Sequence, residues 1–488
     1  MLNTTSIQTR PNPASTGCWV LGLLITYFFL YGSTPEELAR HAAIGVGLTM
    51  VVAIGLEASD NWRCVLRPDA PAFGALYFLT FFEFLSRQSE VNEMTTKASM
   101  YDACCLTLLA FGSIAVARHF SPAPPAFLSS LVKRPTAPAA LFSVFAVSFF
   151  FGILFMLLAV NFNVFEMIDQ MMQPRFTQSW SRGRFGDWKA LLNQVGDIIG
   201  LVPPIAGLIL ARRERYHWYG VLVAIFGLVF CLFQAIAGGT RSALATILIT
   251  FLVAYGLTIS RARRLEFGLL CIIAAGGFLA SSSVMLNTRT VGLKAYLTTA
   301  TSPTRKGAPI ALPDEDTSFF VDRNLVSISQ LTSVFPSTHP FLGLETLYVA
   351  LVAPIPRAVW PGKPTGLSLS MEDALGVGSD MTVSATFIGE AYVAGGAIGV
   401  IMAGCFFGML TAWWGRLGSF VASELGFLIY TSGFFAIAIS MRSLYALIVA
   451  ALPTIASILF ALLLSRGTPD RESKADLDQA LPSASSHK

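Results

Sequence analysis

The chain has 488 residues, 54% of them hydrophobic and only 13% charged, with a net charge of +4 and a mean hydropathy of +0.63. A water-soluble domain carries about 25% charged residues, so a soluble globular chain is excluded, and so modest a positive charge gives no reason to expect a nucleic-acid partner. A hydrocarbon core about 30 Å thick takes roughly 20 apolar residues per helix. Continuous apolar runs of that order recur along the chain, which predicts an all-α polytopic membrane protein. A transmembrane barrel would read as short alternating segments instead.

In chain order, residues 1–16 read as a cytoplasmic tail. About twelve spans follow, near 17–32, 41–57, 71–86, 101–117, 138–160, 196–211, 218–236, 242–259, 265–284, 391–414, 418–440 and 443–465. Residues 17–284 thus form a membrane domain of nine spans, 285–390 a large external loop, and 391–465 a membrane domain of three spans. Residues 466–488, rich in Ser and charge, read as a disordered cytoplasmic tail. The first run, CWVLGLLITYFFLYG, has the length of a signal peptide. PEELAR and no small-residue cleavage site follow it, so it reads as a retained span. The third and fourth spans are the shortest. No internal repeat is visible, where some transporter folds would show one.

The basic residues orient the chain. Arg63, Arg67, Arg118, Lys133, Arg134, Arg212, Arg213, Arg215, Arg261, Arg263, Arg264 and Arg416 fall in connections on one side, with Arg466, Arg471 and Lys474 in the tail. The positive-inside rule makes that side cytoplasmic, and both termini with it. Two long connections lie opposite. The first, 161–195, mixes aromatic and basic residues, as an interfacial segment does. The second is 285–390, and loops that long are usually functional or disordered. Leu325, Ile328, Leu331 and Phe335 stand at helical spacing and predict order within it. Its run LETLYVALVAPIP is too short to span and reads as interfacial or re-entrant.

Charge at apolar borders carries the functional signal. Arg241 (AGGTRSALATIL) joins two spans. Arg357 and Lys363 lie in LVAPIPRAVWPGKP, Arg442 in AISMRSLYAL, and Arg289 in SVMLNTRTVG. All face the outer side on this topology, and no acidic residue is near Arg241, Arg357 or Arg442 in sequence. A single arginine at a helix end can be a snorkelling anchor. Several on the face where basic anchors should be scarce point to an anion site, because guanidinium groups bind phosphate bidentately. Gly238 and Gly239 let the backbone approach a ligand closely. Such an anion would sit at the membrane–water border, the depth of the pyrophosphate of a polyisoprenyl-linked sugar.

His339 (PSTHPF) is the sole histidine of the large loop, and an imidazole suits proton transfer, although a lone loop histidine is more often merely exposed. Asp314, Glu315 and Asp316 read as a solvated loop face, and Trp360 between prolines as a rigid interfacial turn. The seven cysteines, Cys18, Cys64, Cys104, Cys105, Cys231, Cys271 and Cys405, fall in or beside apolar runs. They form no C-x-x-C pair or disulfide framework, which argues against thiol catalysis on the outer face.

Three pieces in order, GGTRSAL between two spans, IPRAVWPGKP in the late loop, and GEAYVAGGAIG followed by SMRSLYAL, give a resemblance over about residues 190–450. The chain resembles the Wzy-type O-antigen and exopolysaccharide repeat-unit polymerases, in the O-antigen polymerase and ligase superfamily. The resemblance implies a membrane glycosyltransferase of GT-C-like architecture at the periplasmic face of a bacterial inner membrane. It implies transfer of a growing glycan from undecaprenyl pyrophosphate to a repeat unit on the same lipid. Arg241, Arg357 and Arg442 would hold the pyrophosphate, with Lys363 and Arg289 as further candidates. His339 or Glu390 would be the base. Glu390 (FIGEAYVAGG) matches the family's acidic residue at a span start, where it could equally be an arginine partner or a helix-start anion. Histidine ligands do not cluster outside, so metal independence and no cofactor are expected. The expected partners are the lipid-linked oligosaccharide and the lipid bilayer, with a chain-length regulator left open.

Other readings compete with this one. A ligase that moves finished glycan to a lipid acceptor would use similar parts. A glycosyltransferase using monosaccharide-phosphate lipid would need an acid in the first outer loop, where Glu36 and Glu37 stand. An exosortase-like protease needs an outer cysteine. A lipid-linked oligosaccharide flippase or transporter would carry charges in mid-span.

Overall fold

The computed structural model describes residues 10–136, 138–175, 177–180, 195–301, 322–352, 355, 360, 362–363, 369–376 and 383–465. Among them every regular element is helical. Eight helices are long and apolar enough to cross a membrane, and Pro13–Phe28, Asp197–Ala211 and Glu424–Ser440 are shorter apolar helices. The chain is therefore a helical, membrane-embedded protein.

Local chemistry sets the helix starts. Thr34 accepts the Glu37 amide at 3.2 Å, Pro35 fills the first helical position, and the Glu37 carboxylate accepts the Ser33 amide and hydroxyl at 2.7 and 2.6 Å. These bonds satisfy amides that have no partner inside the helix. Glu36 accepts the Gln88 amide at 2.8 Å. Both carboxylates of this turn thus serve a helix start and a loop contact.

Several boundaries differ from the sequence reading by a few residues, and two differ in extent. The third segment is a short helix, Asp69–Thr80, followed by a 3-10 turn over Phe82–Leu85. The Arg264–Val291 helix runs past residue 284. Its last turns are polar, but a backbone ladder needs no apolar side chains to continue.

The charged connections separate to two ends of the bundle. At one end Arg67 and Arg118 share Glu57 and Asp69. Arg63 donates to the Ile259 carbonyl at 2.8 Å, Arg263 to that of Ala211 at 3.0 Å and Arg416 to that of Ser121 at 2.6 Å. Arg212 pairs with Glu424. These are the connections read above as cytoplasmic, drawn together by their own bonds. Labelling checks the orientation: Ser333→Cys should react with an impermeant maleimide in intact cells, and Ala262→Cys only after permeabilisation. The reverse pattern would invert the chain.

At the opposite end, the Asn324–Val334 helix buries Leu325, Ile328, Leu331 and the following Phe335, as their spacing predicts. It packs on the Lys97–Ala117 and Thr386–Leu417 helices, and the Asn324 amide donates to the Leu79 carbonyl at 2.9 Å. This part of the long loop belongs to the core of the bundle.

The Thr386–Leu417 helix is broken within GEAYVAGG. Gly395 leaves helical geometry and Gly396 takes φ +64°, a conformation that side chains disfavour. Carbonyls released by the break are used: Val393 and Ala394 accept the amides of Leu342 and Gly343, both at 2.9 Å. The Tyr392 hydroxyl donates to the Phe335 carbonyl at 2.9 Å. The segment carrying His339 is held on the broken helix in this way.

Candidate functional site

Arg241 begins an 18-residue helix, Arg241–Thr258. The preceding turn folds back on the helix before it: the amides of Gly238, Gly239 and Thr240 donate to the carbonyls of Gln234, Ile236 and Ala235 at 2.9, 3.1 and 3.2 Å. Gly239 takes φ +60° to close that turn. The Thr240 hydroxyl donates to the Gly238 carbonyl at 3.2 Å and leaves the start of the new helix uncapped. Arg241 and a positive helix end therefore stand together.

Arg442 closes the turn after Glu424–Ser440, its amide bonded to the Ile439 carbonyl at 3.0 Å. Its guanidinium lies 3.4 Å from the Asp322 carboxylate. The next residues are fixed by Glu390. This buried carboxylate accepts the Ser443 hydroxyl and the Leu444 amide, both at 2.6 Å. Glu390→Ala should leave both donors unpaired and cost about 1–3 kcal/mol. Thermal melting checks this. An unchanged melting temperature would mean that the turn is held by other contacts.

A third arginine joins from the first long connection. Lys294, just past the Arg264–Val291 helix, donates its amide to the Met172 carbonyl at 3.1 Å, and its ammonium lies 2.5 Å from the Asp169 carboxylate. That docking carries Arg175 to a polar cavity, where it lines the wall with Thr240, Arg241, Ser242, Asp322 and Arg442. The hydrogen bond from Lys294 holds the Asp169 carboxyl below its ordinary value.

The polar cavity continues into an apolar one of about 270 Å³ that shares Arg241, Ser242, Asp322 and Arg442. The apolar cavity follows Ala245, Ile249 and Leu252 on one helix and Phe278, Ala275 and Cys271 on the facing one. From Arg241 to Leu252 it descends about 16 Å at 1.5 Å per residue. Its outer wall is thinly supported, because only 6% of the apolar window of Arg264–Ser282 is buried. The result is a pocket of three arginines and Asp322 above an apolar groove whose outer helix is largely exposed.

The remaining sequence candidates are not all among the described residues. Arg357 lies outside the described residues. The backbone of Arg289 is in the Arg264–Val291 helix, and its side chain is outside the described residues. The Lys363 ammonium donates to the Ile355 carbonyl at 3.0 Å. The half-buried His339 ring lies 5.9 Å from that of Phe335. Lys363, His339 and Glu390 do not line the arginine cavity. Asp314, Glu315 and Asp316 also lie outside the described residues, and they spell an Asp-x-Asp sequence of the kind that can hold a divalent cation.

Arg175 and Asp322 were not among the sequence candidates. Arg175 had a visible signal, as a cation set among methionines and aromatics in an outer connection. Asp322 had none, because its partner Arg442 is remote in the chain.

Residues 311–463 match a family model described as a domain of unknown function (DUF8712). The match takes in Asp322, Glu390 and Arg442 and leaves out Arg175 and Arg241. Curated proteins and solved structures gave no match.

Proposed function

We propose that the chain is a membrane glycosyltransferase that polymerises polysaccharide repeat units carried on undecaprenyl pyrophosphate. One observation carries this reading: Arg175, Arg241 and Arg442 meet at the mouth of an apolar groove. A polyisoprenyl pyrophosphate has that same form, a dianionic head on a long hydrocarbon tail. The groove would take the first isoprene units and let the remainder run into the bilayer.

In the reaction an acceptor hydroxyl attacks the anomeric carbon of the growing glycan. The bond from that carbon to the pyrophosphate oxygen breaks, and its electron pair leaves with the oxygen. Preorganised guanidinium groups stabilise this developing charge. The architecture in this reading is GT-C-like, with about twelve crossings, both termini in the cytoplasm and the arginine cavity at the periplasmic face of a bacterial inner membrane. The lipid bilayer supplies both substrates, and a chain-length regulator would dock from the same face.

The glycan profile of cells lacking the chain tests the proposal. Single repeat units on the final acceptor support a polymerase. Long polymer stranded on the carrier lipid would mean a ligase, and repeat units trapped in the inner leaflet a flippase.

A further inference from the structure

A second cavity, about 390 Å³, lies on the other side of the GGTR turn. It shares Arg175 and Thr240 with the arginine cavity, so the two spaces meet across those residues. Its lining differs in kind from the apolar groove. Gln178 and Gln234 present amides, Trp180 an indole, and Asp197 a carboxylate. The Asp197 carboxylate makes no hydrogen bond or ion pair with a described residue. An ionisable group held in a cavity without a partner is costly, and such groups are kept where a ligand needs them.

The combination matches one ligand class. Amides and a carboxylate bond hydroxyl groups directionally, and an indole face packs on the C–H face of a ring. A hydrocarbon tail would leave the Asp197 carboxylate without a polar partner. We propose that this cavity is a saccharide subsite, and that Asp197 is the base that takes the proton of the acceptor hydroxyl. The proposal rests on the polymerase reading above. With pyrophosphate at Arg241 and Arg442, the sugar attached to it passes Arg175 and Thr240 and reaches the second cavity. The acceptor hydroxyl then gives its proton to a carboxylate oxygen of Asp197 as its oxygen bonds to the anomeric carbon. The electron pair of the broken bond leaves with the pyrophosphate. Charge is conserved, and no further reactant is required.

This assigns to Asp197 a role that the sequence offered to His339 or Glu390. Asp197 was hidden at the head of an apolar segment, where one carboxylate reads as a helix-start residue.

The test uses the full chain in nanodiscs and two probes. One is bare undecaprenyl pyrophosphate. The other is the sugar-bearing carrier lipid extracted from cells lacking the chain. Wild type should bind the sugar-bearing lipid about tenfold more tightly than the bare lipid. Trp180→Ala and Gln234→Ala should erase that preference and keep the affinity for bare lipid. Asp197→Asn should bind both lipids as wild type does, yet lose transfer by about 10²- to 10⁴-fold. A preference that survives Trp180→Ala and Gln234→Ala overturns the saccharide subsite, and full transfer by Asp197→Asn overturns the base. Failure of wild type to bind bare lipid overturns the polymerase reading itself, and with it this proposal. The Trp180 and Gln234 variants decide the subsite even if Asp197→Asn fails to fold.

Discussion

Replacing Arg241 with Ala should abolish polymer while the protein still folds and inserts. The side chain stands at a helix start on the cavity wall, and the backbone turn that places it is bonded without it. The loss falls on the leaving group. One preorganised donor to a developing oxyanion is worth about 10²- to 10³-fold in rate. Arg241→Lys restores charge without the two-pronged donor and should recover only part of the activity. Arg442→Ala should resemble Arg241→Ala, because both guanidiniums line one cavity. Glycan ladders from well-expressed variants are the readout. Normal ladders from Arg241→Ala would remove the pyrophosphate site and the mechanism with it.

The second large effect is expected at the other end of the molecule, where no chemistry is proposed. Glu57, Arg67, Asp69 and Arg118 form one ionic cluster, and each side chain is at most 9% exposed. Arg118 donates to Asp69 at 2.7 Å and to the hydroxyls of Thr16 and Ser15 at 2.8 and 3.2 Å, while Arg67 also bonds the Arg10 carbonyl at 2.9 Å. The cluster ties four helices together: Pro13–Phe28, Pro35–Asp60, Asp69–Thr80 and Lys97–Ala117.

Asp69→Ala leaves two buried guanidiniums with Glu57 as their one carboxylate partner in the cluster. Breaking a buried pair in this way costs about 3–5 kcal/mol, so the thermal midpoint in detergent should fall sharply. An unchanged midpoint would show that water already reaches the cluster. The effect of pH follows from the same geometry. Burial pushes the Asp69 carboxyl up, but the charges of Arg67 and Arg118 outweigh that and hold it below the carboxylate range. Its contribution to stability is complete above the unfolded value of about 3.9. It is lost only as pH falls through the lower folded value.

The sequence revealed best what depends on neighbours along the chain. Arg241 and Arg442 could be found because apolar runs announce helix ends, and charges at those ends stand out. The Asn324–Val334 helix could be found because Leu325, Ile328 and Leu331 fall on one face. Arg175, Asp322 and Asp197 are of another kind. Each acquires its meaning from a partner or cavity built by distant segments, and no local pattern encodes that. Glu390 lies between these cases. Its place at a span start was legible, but its bonds to Ser443 and Leu444, which fix the turn of another helix, were not.

The ionic cluster also has a mechanical meaning. Helices pinned together at one end are levers with a common fulcrum, and their far ends travel furthest. Asp69–Thr80 lines the apolar groove through Gly74, Ala75, Phe78 and Leu79 and is about 18 Å long at 1.5 Å per residue, so a tilt of about 5° at the cluster moves its other end by about 1.6 Å. Small rotations that leave the pinned end packed can therefore widen the end where the arginines meet.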